Sequence, residues 1–88
     1  MQQQQWEYLE VVLDRVHGEK RPRYLNQTEQ TGWEHGPTAI AYFNSLGREG
    51  WELILASGEQ GEKFLFKRPV QRAGVRERPR NGAIARAS

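Results

Sequence analysis

The segment Leu46-Gly47-Arg48-Glu49-Gly50-Trp51-Glu52-Leu53 constrains the chain more than any other, because it ends the one well-patterned helix and starts the most apolar strand. Either glycine can adopt the left-handed conformation that closes a helix, and an aromatic and aliphatic run follows at once. Upstream, Gly36-Pro37-Thr38 reads as the helix start, since proline at the first helical position gives up an amide that would be unpaired anyway. Ile40, Phe43 and Leu46, with Ala39 and Tyr42 alongside, make the apolar stripe, while Asn44, Ser45 and Arg48 face water. The pattern predicts a helix of about three turns, Pro37 to Leu46 or a little further.

Strand signals flank this helix on both sides. Trp6 to Val16 is rich in aromatic and β-branched residues, with Trp6, Tyr8 and Val12 on one face and Leu9, Val11 and Leu13 on the other. A charged turn follows from His17 to Pro22, and Arg23-Tyr24-Leu25-Asn26 reads as a short return strand. Gln27 to Gly36 is polar apart from Trp33 and reads as a loop. Beyond the helix, Trp51–Ser57 and Glu62–Arg68 form a hairpin around Gly58-Glu59-Gln60-Gly61, and Pro69 stops it. Plain alternation puts Trp51, Leu53 and Leu55 on one side, with Ile54 and Ala56 on the other. The expected fold is α+β in the order β-β-α-β-β, a small antiparallel sheet of three or four strands with one helix on one face.

The chain has 88 residues and no cysteine, so disulfide stapling, thiol chemistry and cysteine-based zinc sites are excluded. We expect a mobile N-terminus over residues 1–5, a single domain over 6–69 and a disordered Arg-rich tail over 70–88. Residues 1–68 hold eight Lys/Arg against ten Asp/Glu, a net of −2, and residues 69–88 hold five Arg against one Glu, a net of +4. The basicity belongs to the tail. Lacking a signal-type N-terminus or a bilayer-length apolar run, the sequence points to a soluble cytoplasmic protein.

Each candidate for chemistry has a plainer structural role. The aromatic residues Trp6, Trp33, Trp51, Tyr8, Tyr24 and Tyr42 could cradle a ring or a cation, but in so small a domain large rings supply most of the buried area. Gly47-Arg48-Glu49-Gly50 and Gly58-Glu59-Gln60-Gly61 have the spacing of an RNA-clamping loop, yet each carries a glutamate and each serves as a cap or a turn. His17 and His35 stand beside Glu19 and Glu34 without the three or four converging ligands a metal requires. Glu7, Glu10, Glu49 and Glu52 lack a nucleophile or an oxyanion donor nearby. No cofactor, metal, small molecule or catalytic role is expected. Arg72, Arg76, Arg78, Arg80 and Arg86 could contact phosphates non-specifically or simply solvate the tail.

The motifs Trp6-Glu7-Tyr8, Leu46-Gly47-Arg48-Glu49-Gly50-Trp51-Glu52-Leu53 and Phe64-Leu65-Phe66-Lys67-Arg68-Pro69, in that order, resemble a family of small bacterial proteins, the domain of unknown function numbered 4177. The likeness covers residues 6–69. It implies a compact α+β domain without an established activity, and no functional residue to carry over. Against that pattern Leu9-Glu10 adds a residue, which suggests a bulge in the first strand, and Arg21 to Pro37 is longer than the shortest members need.

One short helix covers one face of a small sheet, whereas the strands are apolar on both. An uncovered apolar face usually marks a contact with another chain, most often a second copy related by two-fold symmetry. The expected function is therefore a non-enzymatic protein-interaction module, self-associating or docking on a larger bacterial complex, with Leu9, Val11, Leu13, Ile54 and Leu65 as interface candidates. The alternative is a nucleic-acid-associated accessory protein that uses the basic tail.

Overall fold

Apolar and β-branched residues mark Trp6–Val16 as the leading strand, and the computed structural model, which describes residues 3–70, folds it with the segments after it into a meander. Strand β1 (Trp6–Val16) pairs antiparallel with β2 (Glu19–Leu25), and β2 pairs with the two-residue β3 (Thr28–Glu29). A 3₁₀ turn at Trp33–His35 leads to the helix α1 (Ala39–Arg48). Strands β4 (Glu52–Ser57) and β5 (Lys63–Pro69) complete the domain, with β5 pairing antiparallel to β1. The result is one sheet of five strands in the order β3-β2-β1-β5-β4. It has one strand more than expected, since β3 lies in the stretch that reads as a loop.

Two tight turns explain the extra strand. His17 and Gly18 both have positive φ and join β1 to β2 in two residues; Asn26 and Gln27 do the same between β2 and β3. Paired positive-φ residues give a turn whose twist matches that of the strands it joins. Asn26 is further fixed from β1: its N–H donates to the Glu10 carbonyl at 2.9 Å, and its Oδ1 accepts the Glu10 N–H at 2.9 Å.

The helix begins two residues later than Pro37. Thr38 is the cap, in extended conformation, with its hydroxyl accepting the Ala41 N–H at 3.4 Å. At the other end Gly50, φ +92°, takes the left-handed position. The Gly50 N–H donates to the Gly47 carbonyl and the Trp51 N–H to the Leu46 carbonyl, both at 3.0 Å, while Trp51 packs near Leu46 in the core. This is a Schellman closure with its apolar contact, and it turns the chain directly into β4.

Val11, Leu13, Leu46 and Phe66 form the buried core, and Leu9, Leu25, Ala39, Tyr42, Phe43, Trp51 and Phe64 pack around it. The helical stripe is therefore Ala39, Tyr42, Phe43 and Leu46. Ile40, expected in the stripe, is 67% exposed, because each step of three residues falls short of a full turn and the error accumulates from Ile40 to Leu46. Phe43 is the contact between layers, with its ring 4.9 Å from Phe64 and 5.4 Å from Phe66 at tilted angles.

The bulges also differ from expectation. Pairing between β1 and β5 runs unbroken from Trp6↔Pro69 to Val12↔Lys63, so Leu9-Glu10 carries no insertion against β5. One irregularity lies in β2, where Val12 pairs with Tyr24 and Leu13 with Pro22, leaving Arg23 as the extra residue. The other lies in β4, where Leu53 pairs with Phe66 and Leu55 with Leu65, leaving Ile54 extra. Beyond that point each side chain of β4 exchanges faces.

Candidate functional site

Because antiparallel partners share a face, the register sorts every strand residue. Leu9 and Val11 pair with Phe66 and Phe64 and lie under the helix. Val11 is 0% exposed and Leu13 is buried, so these two interface candidates, together with the core-packed Leu9, are corrected to core residues. Their side chains are spent on the helix and cannot meet another chain. The face they vacate is the opposite one, where Trp6, Tyr8, Glu10 and Val12 of β1 lie beside Pro69, Lys67, Leu65 and Lys63 of β5. Of the original candidates, Ile54 is 42% exposed and Leu65 is half-buried opposite Glu10 and Leu55.

Strand β4 is the least covered element. All six of its residues are exposed, and β5 is its only paired neighbour among the described residues. Leu53, on the helix side opposite Phe66, is 48% exposed, and Leu55, on the open side opposite Leu65, is 55% exposed. The helix packs over β2, β1 and β5 and leaves the residues of β4 exposed. Simple alternation missed this arrangement, since without the Ile54 bulge Leu53 and Leu55 would stand together. The available signal was the six-residue run Glu52-Leu53-Ile54-Leu55-Ala56-Ser57, which has no basic residue and no proline to guard a sheet edge.

Cations stack on four of the aromatic side chains, Trp6, Tyr24, Trp33 and Trp51. Lys67 Nζ lies 4.1 Å from the centre of the Trp6 ring, and the Arg68 guanidinium lies 4.3 Å from that of Trp51. Arg68 also donates to the Glu7 carboxylate at 2.6 Å and to the Glu49 carbonyl at 2.9 Å, tying β5, β1 and the helix end to each other. Arg23, the bulge residue of β2, lies against Trp33 and Tyr24 and donates to Asp14 and Glu29. The backbone N–H of Arg15 and then the Arg23 side chain hold the Asp14 carboxyl below its ordinary pKa; Asp14 and Glu29 raise that of Arg23. Burial, then the nearby Glu49, pushes the Tyr42 hydroxyl up.

Trp33, Tyr24 and Tyr42 do not line a common cavity. Tyr42 belongs to the core, whereas the hollow beside Trp33, of about 240 Å³, is lined by Glu29 to Glu34. A larger hollow of about 580 Å³ lies where the β1–β2 turn approaches the β4–β5 turn, and its walls mix Asp14, Glu59 and Glu62 with Arg15, Lys20 and Lys63. Among the described residues there is no group of three or more His, Asp or Glu placed to hold a metal ion, and no helix long and apolar enough to cross a membrane. Glu59 and Glu62 flank the β4–β5 turn, where Glu62 Oε1 accepts the Gln60 N–H at 3.0 Å. The tail candidates Arg72, Arg76, Arg78, Arg80 and Arg86 lie outside the described residues. In comparisons with known proteins, no family model, curated protein or solved structure matches the chain.

Proposed function

We propose that the chain is a non-enzymatic protein-interaction module that associates with itself through the uncovered margin of its sheet. One observation carries this reading: Leu53, Ile54 and Leu55 are exposed on neighbouring positions of β4, and the open face continues from Leu65 to the exposed Tyr8 and Trp6 of β1. Apolar side chains left in water cost free energy that association recovers, at about 25 cal/mol per Å² buried. Coulombic repulsion does not oppose contact between copies, since residues 1–68 carry a net of only −2. Kinship with the domain of unknown function numbered 4177 belongs to the same proposal, supported by the order of the three motifs. The absence of cysteine supports a cytoplasmic setting.

Light scattering on the full chain, coupled to size exclusion, tests the proposal. The expected mass rises from one chain toward two as concentration increases. A single-chain mass at every concentration would contradict self-association.

A further inference from the structure

The bulge at Ile54 makes the free edge of β4 self-complementary, and we infer that two copies join by antiparallel β4–β4 pairing about a two-fold axis at the Ile54–Leu55 bond. The inference rests on the proposed self-association and specifies its geometry. Along β4 the register places Glu52 on the open face, Leu53 on the helix face, Leu55 on the open face, Ala56 on the helix face and Ser57 on the open face. About the Ile54–Leu55 bond the four outer residues read the same from both ends: open face then helix face on one side, helix face then open face on the other. A two-fold at its centre sets Glu52 against the partner's Ser57, Leu53 against the partner's Ala56, and Ile54 against the partner's Leu55. Side chains on like faces then meet at the Glu52–Ser57 and Leu53–Ala56 pairs on both sides of the axis, as antiparallel pairing demands, and the two bulges meet at the axis itself.

Neighbouring registers fail this test. A shift by one residue sets Glu52 against the partner's Ala56 and Leu53 against the partner's Leu55, open face against helix face in both cases. A strictly alternating six-residue strand would not match faces about its middle bond either. The extra residue is what creates the palindrome.

Charge agrees with this register. Within one chain Glu52 pairs with Lys67, and Ser57 pairs with Lys63, all on the open face. Across the axis the row becomes Lys67, Glu52, the partner's Ser57 and the partner's Lys63, so each acidic group lies in a row with cations to either side and no like charges are adjacent. On the helix side the row runs Phe66, Leu53, the partner's Ala56 and the partner's Phe64, which continues the core row outward. Edge N–H and C=O groups that face solvent in one copy gain backbone partners, and two five-stranded sheets become one of ten strands.

The absence of native cysteine makes the register directly readable. Glu52→Cys with Ser57→Cys in one chain places thiols on residues five apart along a strand, too far to bridge internally, but opposite each other across the axis and within disulfide reach. Mild oxidation is expected to convert this variant to a covalent dimer that reductant reverses. Glu52→Cys with Ala56→Cys, which puts the thiols on opposite faces, is expected to remain largely single. A charge cycle supplies a second measurement: Ser57→Glu, which sets two acidic pairs across the axis, is expected to weaken dimerisation roughly tenfold, with Glu52→Lys in the same chain restoring it. A protein dimeric by light scattering that gives no cross-link at this register would overturn the edge pairing while leaving self-association standing. A single-chain mass at every concentration overturns both.

Discussion

At one end of the sheet β3 offers two polar residues, and at the other β4 offers six residues that are mostly apolar. Arg23 closes the first end: it lies against Trp33 and binds Asp14 of β1 and Glu29 of β3 with N–O distances of 2.8–2.9 Å. A short, charged strand beside a knot of ionic and aromatic contacts offers little for another chain to extend. The β4 end has no basic residue, no proline and no cover, only Glu52 and the bulge at Ile54, because the helix turns out of its Schellman closure into the strand and leaves it behind. The contrast teaches that the unfinished part of this fold centres on one margin of its sheet, from which the open face continues to the exposed Tyr8 and Trp6.

The helix-covered half should account for most of the stability of a single chain. Phe43→Ala removes the ring that touches Phe64 and Phe66, and chemical denaturation should show a loss of about 3 kcal/mol or more. Leu53→Ala, on a side chain already 48% exposed, should cost a dilute single chain less than about 1 kcal/mol. Gly50→Ala forces a Cβ into the left-handed region, and since nothing lies within 4 Å of that position the cost is conformational, about 1–2 kcal/mol by the same measurement. Leu55→Lys should weaken association roughly tenfold by sedimentation while leaving the single chain folded, whereas Thr28→Lys at the other edge should change association little.

The smallest effect concerns the closed edge and acid. The Asp14 carboxyl is held below its unfolded value by the Arg15 N–H and by Arg23, so its contribution is complete above the unfolded pKa and is lost as pH falls through the folded one. Asp14→Asn should flatten the acid limb of the stability curve below about pH 4 and leave association at neutral pH unchanged. A change in the oligomer at neutral pH would mean that the two ends of the sheet are coupled.

Much of this was legible in the sequence. Trp6–Val16 stands out as a strand because its apolar and β-branched residues persist over 11 positions, and Gly58 with Gly61 marks the second hairpin. The Asn26-Gln27 turn was hidden because non-glycine residues occupy both positive-φ positions, so β3 reads as loop. Ile40 looked like a core residue because three-residue spacing mimics a helical face over one step and drifts off it over two. Counting apolar residues implied more greasy surface than one helix covers, but it assigned the surplus to Leu9, Val11 and Leu13, which are core, as well as to Ile54 and Leu65. Helix and strand propensities do not say which side of a two-faced strand the helix will choose. Neither do they announce a bulge such as Ile54, which arises from pairing with Leu65 and Phe66 of the next strand.

Amide hydrogen exchange, compared at dilute and concentrated protein, addresses the central claim most directly. The free margin at β4 predicts that residues 52–57 gain protection as concentration rises while residues 28–29 do not change. Equal behaviour of the two edges, or protection at β4 that ignores concentration, would contradict it.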